Sequence, residues 1–252
     1  MGTRQDHKAR RELKDQTKLA SLTEYHPGCV PSLMTIKKST AIFVRPYIAS
    51  YHYSRSLPDN SPHIFSCWYG HTLAAILIFG TSNSLATFSS VIPGIKKEEC
   101  LELSRMWSPD GMPKNTESRA IALAIAKLPK TVKLLVSYAD PSRGHLGIIY
   151  QATNWLYVGV TKKNSYLIDK DGFRKHHKMI QGYRKSNPAF KNSTVRQIKQ
   201  HLGMREFRSA GKHKYIMLIG DKSENRTLRK QIKPALIDYP KVLIKEEEKE
   251  VI

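Results

Sequence analysis

The sequence predicts an α/β fold, a mixed central sheet flanked by helices, followed by a basic C-terminal extension. Three observations carry this expectation. Strand-like and helix-like runs alternate between His63 and Val160. Glycine, proline and short polar residues punctuate the runs where the chain must turn. Hydrophobic residues make up 40% of the 252 positions, enough to build a core.

A polar leader is expected over residues 1–40. From Ala41 to Ser54 apolar and aromatic residues recur in a pattern that fits helix or strand, and the period does not choose between them. Pro58-Asp59-Asn60-Ser61-Pro62 is a loop, because two prolines and short polar side chains compete with any regular ladder. His63–Tyr69 and Thr72–Phe79 flank Gly70-His71 and predict a hairpin with a tight turn. Residues 80–97, rich in Ser, Thr and Gly, form an excursion before a strand over Leu101–Trp107. Two prolines and a glycine turn the chain between Ser108 and Lys114, and Thr116 and Ser118 are placed to cap a helix running on through Ala126. A strand over Val132–Tyr138, a helix over Gly144–Thr153 and a strand over Trp155–Val160 complete the alternation. Beyond Lys162 the chain is polar and basic, broken by a turn at Asp171-Gly172 and by one strong strand, Tyr215–Ile219. This order predicts a core over 41–160, an extension over 161–240 packed on it, and an acidic tail over 241–252.

Lys and Arg number 42 against 21 Asp and Glu, a formal charge of +21. The excess is uneven. Residues 161–240 hold 20 basic and 6 acidic side chains, whereas 41–160 hold 11 and 7. Such a field attracts polyanions and makes association steeply salt-dependent, so nucleic acid is the expected partner. A membrane is not, because the longest apolar run, Leu73–Phe79, is too short to cross one and no basic helix with a bulky apolar face stands out. The polar N-terminal segment lacks a signal-like apolar core, which gives a cytoplasmic expectation. Cys29, Cys67 and Cys100 show no short spacing and are expected to be ordinary thiols rather than a disulfide framework or a thiolate metal site.

Four separated segments occur in one order: His52-Tyr53-Ser54-Arg55, the strand Leu101–Trp107 containing Leu103-Ser104-Arg105-Met106-Trp107, Asn115-Thr116-Glu117-Ser118, and Asp140 through Gly159. Together they resemble the Mom family of phage DNA-modifying proteins, and the strand, helix and tyrosine of the last segment resemble the final helix of the GNAT acyltransferase fold. The likeness covers about residues 40–160 well and the stretch to Lys241 more weakly. It implies that adenine in double-stranded DNA is converted to its N6-carbamoylmethyl form, protecting the DNA from restriction nucleases, in the cytoplasm of a phage's host. Two other classes stay open: a conventional GNAT N-acetyltransferase using acetyl-coenzyme A (acetyl-CoA), and a DNA-binding protein whose core has lost its chemistry. A homodimer is among the assemblies left open.

Residue by residue, Tyr150 stands where such enzymes place a tyrosine that donates a proton to a departing thiolate. Asp140 ends its strand, where a carboxylate can bind a metal, orient a base or cap the next helix. The resemblance implies iron, with His52, Tyr53 and Asp140 as ligands, since imidazole and carboxylate together suit non-heme iron. The implied product joins N6 to a methylene carbon, a bond that attack on a thioester does not make, and this gap is the chemical reason to expect a redox metal. Asn115, Ser118 and Arg119 stand at a helix N-terminus, a favourable place for anions and for a cofactor's phosphates, with Asn115 and Ser118 also expected at the reaction site. The glycine pattern with which acyltransferases grip pyrophosphate is missing from Pro113 to Arg119. Arg55, Arg105, Arg143, Arg174, Lys175 and Arg184 are expected to hold DNA phosphates.

Overall fold

The computed structural model describes residues 30–82, 84–163, 165–172, 174–175, 177–208, 211–241 and 249–251. Most of the expected leader, Cys29 with it, and residues 242–248 of the expected tail lie outside the described residues.

After the short strand β1 (Thr35–Lys38), the ambiguous apolar stretch resolves as a helix, α1 (Ala41–Tyr51). Thr40 decides it, because its hydroxyl accepts the Phe43 N–H and so caps the first turn. Val44, Ile48 and Ala49 form the buried stripe. The hairpin forms as expected, β2 (His63–Tyr69) and β3 (Thr72–Gly80), with Gly70 at φ 56° in the turn. Side chains of β3 fill both faces: Ile76 and Ile78 pack under α1, whereas Leu77 and Phe79 point to the opposite layer.

The excursion contains a single helical turn, α2 (Ala86–Ser89), and leads into β4 (Cys100–Trp107). The crossover helix α3 (Thr116–Ile125) buries Ala120, Ile121 and Ala124 and returns the chain to β5 (Leu134–Ala139), parallel to β4. Its N-terminus departs from expectation. Asn115 occupies the cap position in a left-handed conformation (φ 69°) and makes no side-chain cap. Neither Thr116 nor Ser118 caps either, since Thr116 is buried against the Tyr69 hydroxyl (3.1 Å) and Ser118 donates back to the Asn115 carbonyl (3.1 Å).

The expected helix over 144–153 shrinks to a 3-10 turn at Pro141–Arg143 and a short α4 (Ile148–Gln151). Gly144 and Gly147 both take left-handed φ, 76° and 79°, which no continuing helix allows. The strand β6 (Leu156–Val160) follows.

The basic half holds more structure than its polarity suggests: β7 (Ser165–Ile168), β8 (Arg174–Lys175), α5 (Lys178–Ser186), α6 (Val195–His201), β9 (Arg205–Arg208), β10 (His213–Leu218), α7 (Lys222–Lys230) and β11 (Lys249–Val251). The strand β10 inserts between β5 and β6, antiparallel to both, so the large sheet runs β1-β2-β3-β4-β5-β10-β6. The segment after residue 160 therefore supplies a strand of the core sheet and does not only pack on it. A second sheet, β11-β9-β7-β8, packs with α5 and α6 around Leu167, Ile180 and Ile198.

The fold is thus α/β, a mixed sheet with helices on both faces. α3 and α4 cover one face through Ile121, Tyr150 and Trp155, and α2 and α7 cover the other through Phe88, Ile92, Ile216 and Leu228. No helix of the described residues is long and apolar enough to cross a membrane.

Candidate active site

The parallel pair β4–β5 is hydrogen-bonded in register only along Cys100–Glu102 and Leu134–Val136. Beyond that point β4 keeps to β3 while β5 keeps to β10, and the two strands part. Ser137 stands in the gap. Its Oγ has one proton to share between two acceptors, the Leu103 carbonyl, left without a ladder bond by the divergence, and the Tyr150 hydroxyl, each 2.8 Å away.

A cavity of about 230 Å³ opens at this parting. Leu103–Met106 form one wall, Tyr138–Asp140 the other, the segment Gly144–Tyr150 the third side, and His52 and Tyr53 close it from the end of α1. Four residues from two of the sequence motifs, His52, Tyr53, Asp140 and Tyr150, are thereby brought together with Arg105 from a third. Asn115, Ser118 and Arg119 are not among them. They line a separate groove of about 710 Å³ between α3, Ala152–Asn154 and Met217, on the far side of α4.

The ring of Tyr150 is buried against Trp155 and Tyr215, each with centroids 5.1 Å away. Burial pushes its phenol well above the ordinary tyrosine value, with the Ser137 hydrogen bond partly opposing the shift. At neutral pH the hydroxyl keeps its proton.

His52 is the first residue past α1, where its chain turns extended. Its Nδ1 accepts the Ser54 backbone N–H (3.1 Å), with Ser54 Oγ 2.8 Å away, and its ring lies on Tyr53, centroids 4.4 Å apart. Burial, then the charges of Arg105 and His145, push its pKa down to about 3. Since the unfolded chain takes up this proton near pH 6.5, unfolded molecules bind more protons between roughly pH 6.5 and 3, and stability falls as pH drops through that window. His52→Gln removes the titrating group. Its melting temperature is therefore expected to fall less than that of the wild type between pH 6.5 and 4.5, and melts at a series of pH values check this. Equal pH dependence in the two proteins would place the linked proton elsewhere.

Asp140 works as a cap. Its Oδ1 accepts from the backbone N–H (3.1 Å) and the hydroxyl (2.6 Å) of Ser142, and Lys212 Nζ stands 3.7 Å from Oδ2. Arg105 is a strut: its Nε donates to the Ser56 carbonyl (3.1 Å) and Nη1 to that of Ser104 (2.6 Å), pinning the 52–57 turn to β4. These two bonds use two of its five N–H donors. Arg184 donates to the Ser193 carbonyl (2.9 Å) and is half-buried, and Lys175 is paired with Asp169 (3.1 Å). Arg174 lies in β8, opposite Ile168. Arg55 is exposed in the turn after His52, and Arg143 is exposed near Tyr53 at the cavity mouth.

The ligand set implied for iron does not fit this geometry. An imidazole binds metal through a lone pair, usually with its other nitrogen donating a hydrogen bond, whereas Nδ1 of His52 is committed as an acceptor and the proton sits on Nε2. Burial raises the pKa of the Tyr53 phenol, against the phenolate a metal needs, and both Asp140 oxygens have donors beside them.

Several contributors escaped the sequence reading. Ser137 and Ser54 position Tyr150 and His52, yet serines on a strand and after a helix carry no signal of their own. Glu102 lies near Arg105, Lys212 and Lys214, with its pKa raised by burial. His145 faces Tyr53 (centroids 5.7 Å), and its place in the Asp140–Gly159 motif was the only hint.

The pattern of the Mom protein family matches residues 33–241. The methylcarbamoylase Mom of Escherichia phage Mu is 33% identical over 132 residues, which are 51% of this chain and 55% of that protein, so the match spans about half the relative's length. Among solved structures, an aminoglycoside N(6')-acetyltransferase from Legionella pneumophila shares 10% identity with TM-score 0.40, covering 84% of this chain and 99% of that one. The yncA protein of Salmonella typhimurium, solved with its cofactor acetyl-CoA, shares 7% identity with TM-score 0.41, covering 76% and 96%.

Proposed function

The chain belongs to the Mom protein family, and from that premise we propose that it is a transferase that modifies adenine in double-stranded DNA, forming N6-carbamoylmethyladenine and protecting the DNA from restriction nucleases. The observation that carries the reading is the cavity where β4 and β5 part, which collects His52, Tyr53 and Tyr150 from motifs far apart in the chain. At about 230 Å³ it is smaller than the roughly 300–1,000 Å³ of pockets that engulf drug-sized ligands, so it suits one small planar group rather than a whole nucleotide.

Adenine N6 is paired inside a duplex and its lone pair is delocalised into the ring. The enzyme must therefore flip the base out, at a cost of roughly a few kcal/mol, and hold it against the reacting group. Tyr53, 44% exposed at the mouth, is placed to stack on an entering base, while Tyr150 offers a protonated hydroxyl from the floor. Mass spectrometry of nucleosides from DNA of cells expressing the chain tests the reading. An adenine heavier by a carbamoylmethyl group supports it, and unmodified adenine overturns it.

Acetyl-CoA as cofactor is supported by the groove at the start of α3. Asn115 there takes the left-handed conformation that glycine usually provides, so the missing glycine pattern is no obstacle to the loop's shape, and Ser118 and Arg119 would face the cofactor's phosphates. When bound, such a cofactor supplies an acyl group activated as a thioester, which serves the N-acetyltransferase reading and does not by itself make the N6–methylene bond.

The basic half would supply DNA affinity. Because Lys175 and Arg184 are engaged within the fold, the contacts are better sought at Lys185, Lys191 and Arg196, which are exposed on and between α5 and α6. Reversal of each to glutamate is expected to weaken binding to duplex DNA and to flatten its salt dependence by roughly one unit of slope per lost phosphate contact, measured in a salt titration. An unchanged slope in all three variants would move the DNA to another face.

A further inference from the structure

We propose that His52 is a fixed hydrogen-bond donor to a carbonyl oxygen of the group being transferred, and not a metal ligand. An amide N–H can only donate, so the Ser54 N–H, 3.1 Å from His52 Nδ1, requires a lone pair there. Ser54 Oγ, 2.8 Å from the same nitrogen, fits that lone pair as the donor of its hydroxyl proton to Nδ1, the Ser56 carbonyl at 3.3 Å being the longer contact. A neutral imidazole carries one proton, and with Nδ1 accepting it must be on Nε2.

The ring is 7% exposed, and its Nδ1 is held by the chain's own groups. Among the hydrogen bonds of the described residues, Nε2 has none within the protein, although His52 lines the cavity. What the cavity sees is one oriented N–H beside the charge of Arg105, which is itself held by two carbonyls. A donor and a cation that need no rearrangement suit the carbonyl of a donor molecule whose adjoining methylene carries a leaving group: as N6 attacks that carbon, the bond to the leaving group breaks, N6 loses a proton and the polarised carbonyl stabilises the transition state. A metal centre would require the reverse arrangement, with Nδ1–H donating outward and a lone pair on Nε2.

The identity of the acceptor rests on the proposed DNA modification, whereas the tautomer does not, so the test has two arms. In the first, long-range proton–nitrogen NMR correlations are recorded on the full chain labelled with nitrogen-15 histidine, before and after addition of ferrous iron. The expected spectrum has Nε2 protonated and Nδ1 unprotonated, with no loss of the His52 signals at one equivalent of iron. A protonated Nδ1, or selective loss of those signals with iron, overturns the proposal.

In the second arm, modified adenine is quantified in DNA from cells expressing His52→Gln and His52→Ala at matched protein levels and melting temperatures. The glutamine amide lies the same number of bonds from Cα as Nε2 and can donate, but is a poor metal ligand. Glutamine is expected to retain modification within roughly 10-fold of wild type, and alanine to lose on the order of 10²-fold, the loss seen when one donor to a developing oxyanion is removed. Glutamine as inactive as alanine overturns the donor role. Absence of modified adenine even with the wild type strikes the DNA reading instead, and with it the acceptor assigned to His52, while the NMR arm still decides between donor and ligand.

Discussion

Tyr150→Phe is expected to fold like the wild type and to bind DNA as tightly, yet to lower the yield of modified adenine on the order of 10²-fold, the scale on which one positioned proton donor contributes. The ring is kept, so its packing on Trp155 and Tyr215 survives. Ser137 also keeps a partner, because its Oγ lies 2.8 Å from the Leu103 carbonyl as well as from the tyrosine hydroxyl. Loss of the hydroxyl is therefore close to a pure loss of chemistry. Nucleoside mass spectrometry and thermal melting measured together decide it. Wild-type yield with wild-type stability would return Tyr150 to the core as a packing residue.

Gly147→Ala is expected to destabilise the fold by about 2–5 kcal/mol, from roughly 1–2 for a left-handed conformation forced on a side chain and roughly 1–3 for overpacking. The residue has φ 79°, and an added Cβ would meet Tyr215 Cε2, with Cζ at 2.7 Å and Tyr150 Cδ2 at 3.0 Å. Tyr215 cannot swing away freely, since its hydroxyl bonds the Leu146 carbonyl and accepts from Gln151 Nε2 at 3.2 Å. Gly144→Ala separates the two causes. Its φ of 76° is equally left-handed but nothing lies within 4 Å of the added carbon, so it should lose only the conformational part. Urea unfolding of both variants measures the difference, and equal losses would mean that the contact with Tyr215 relaxes without cost.

The hairpin, the strands on either side of α3 and the place of the motifs could be read from local pattern. Gly70-His71 between two apolar runs admits little else, and alternating strand and helix signals already point to a sheet covered by helices. Other elements were hidden for identifiable reasons. In α5 and α6 the apolar stripe is narrow, Ile180 and Tyr183 on one and Ile198 on the other, and polar or basic residues fill most of the remaining positions, so composition masked the period. α1 was ambiguous until its cap was seen, because its core-facing residues alone fit two periods. The shortness of α4 follows from glycines that a sequence reading tolerates inside a helix, but whose left-handed φ the packing of Tyr215 enforces at Gly147.

By itself the sequence determined the fold class, the hairpin and the order in which the motifs arrive, since each depends on residues a few positions apart and on the 3.6- and 2-residue periods they set up. Only the tertiary structure decided that β10 crosses into the large sheet, that β4 and β5 part to leave a cavity, that the groove at Asn115 is separate from it, and which nitrogen of His52 carries the proton. Strand order, a gap between strands and the wall a side chain faces arise from contacts between segments scores of residues apart. A proton's place on an imidazole depends on the one donor that the folded chain aims at the ring.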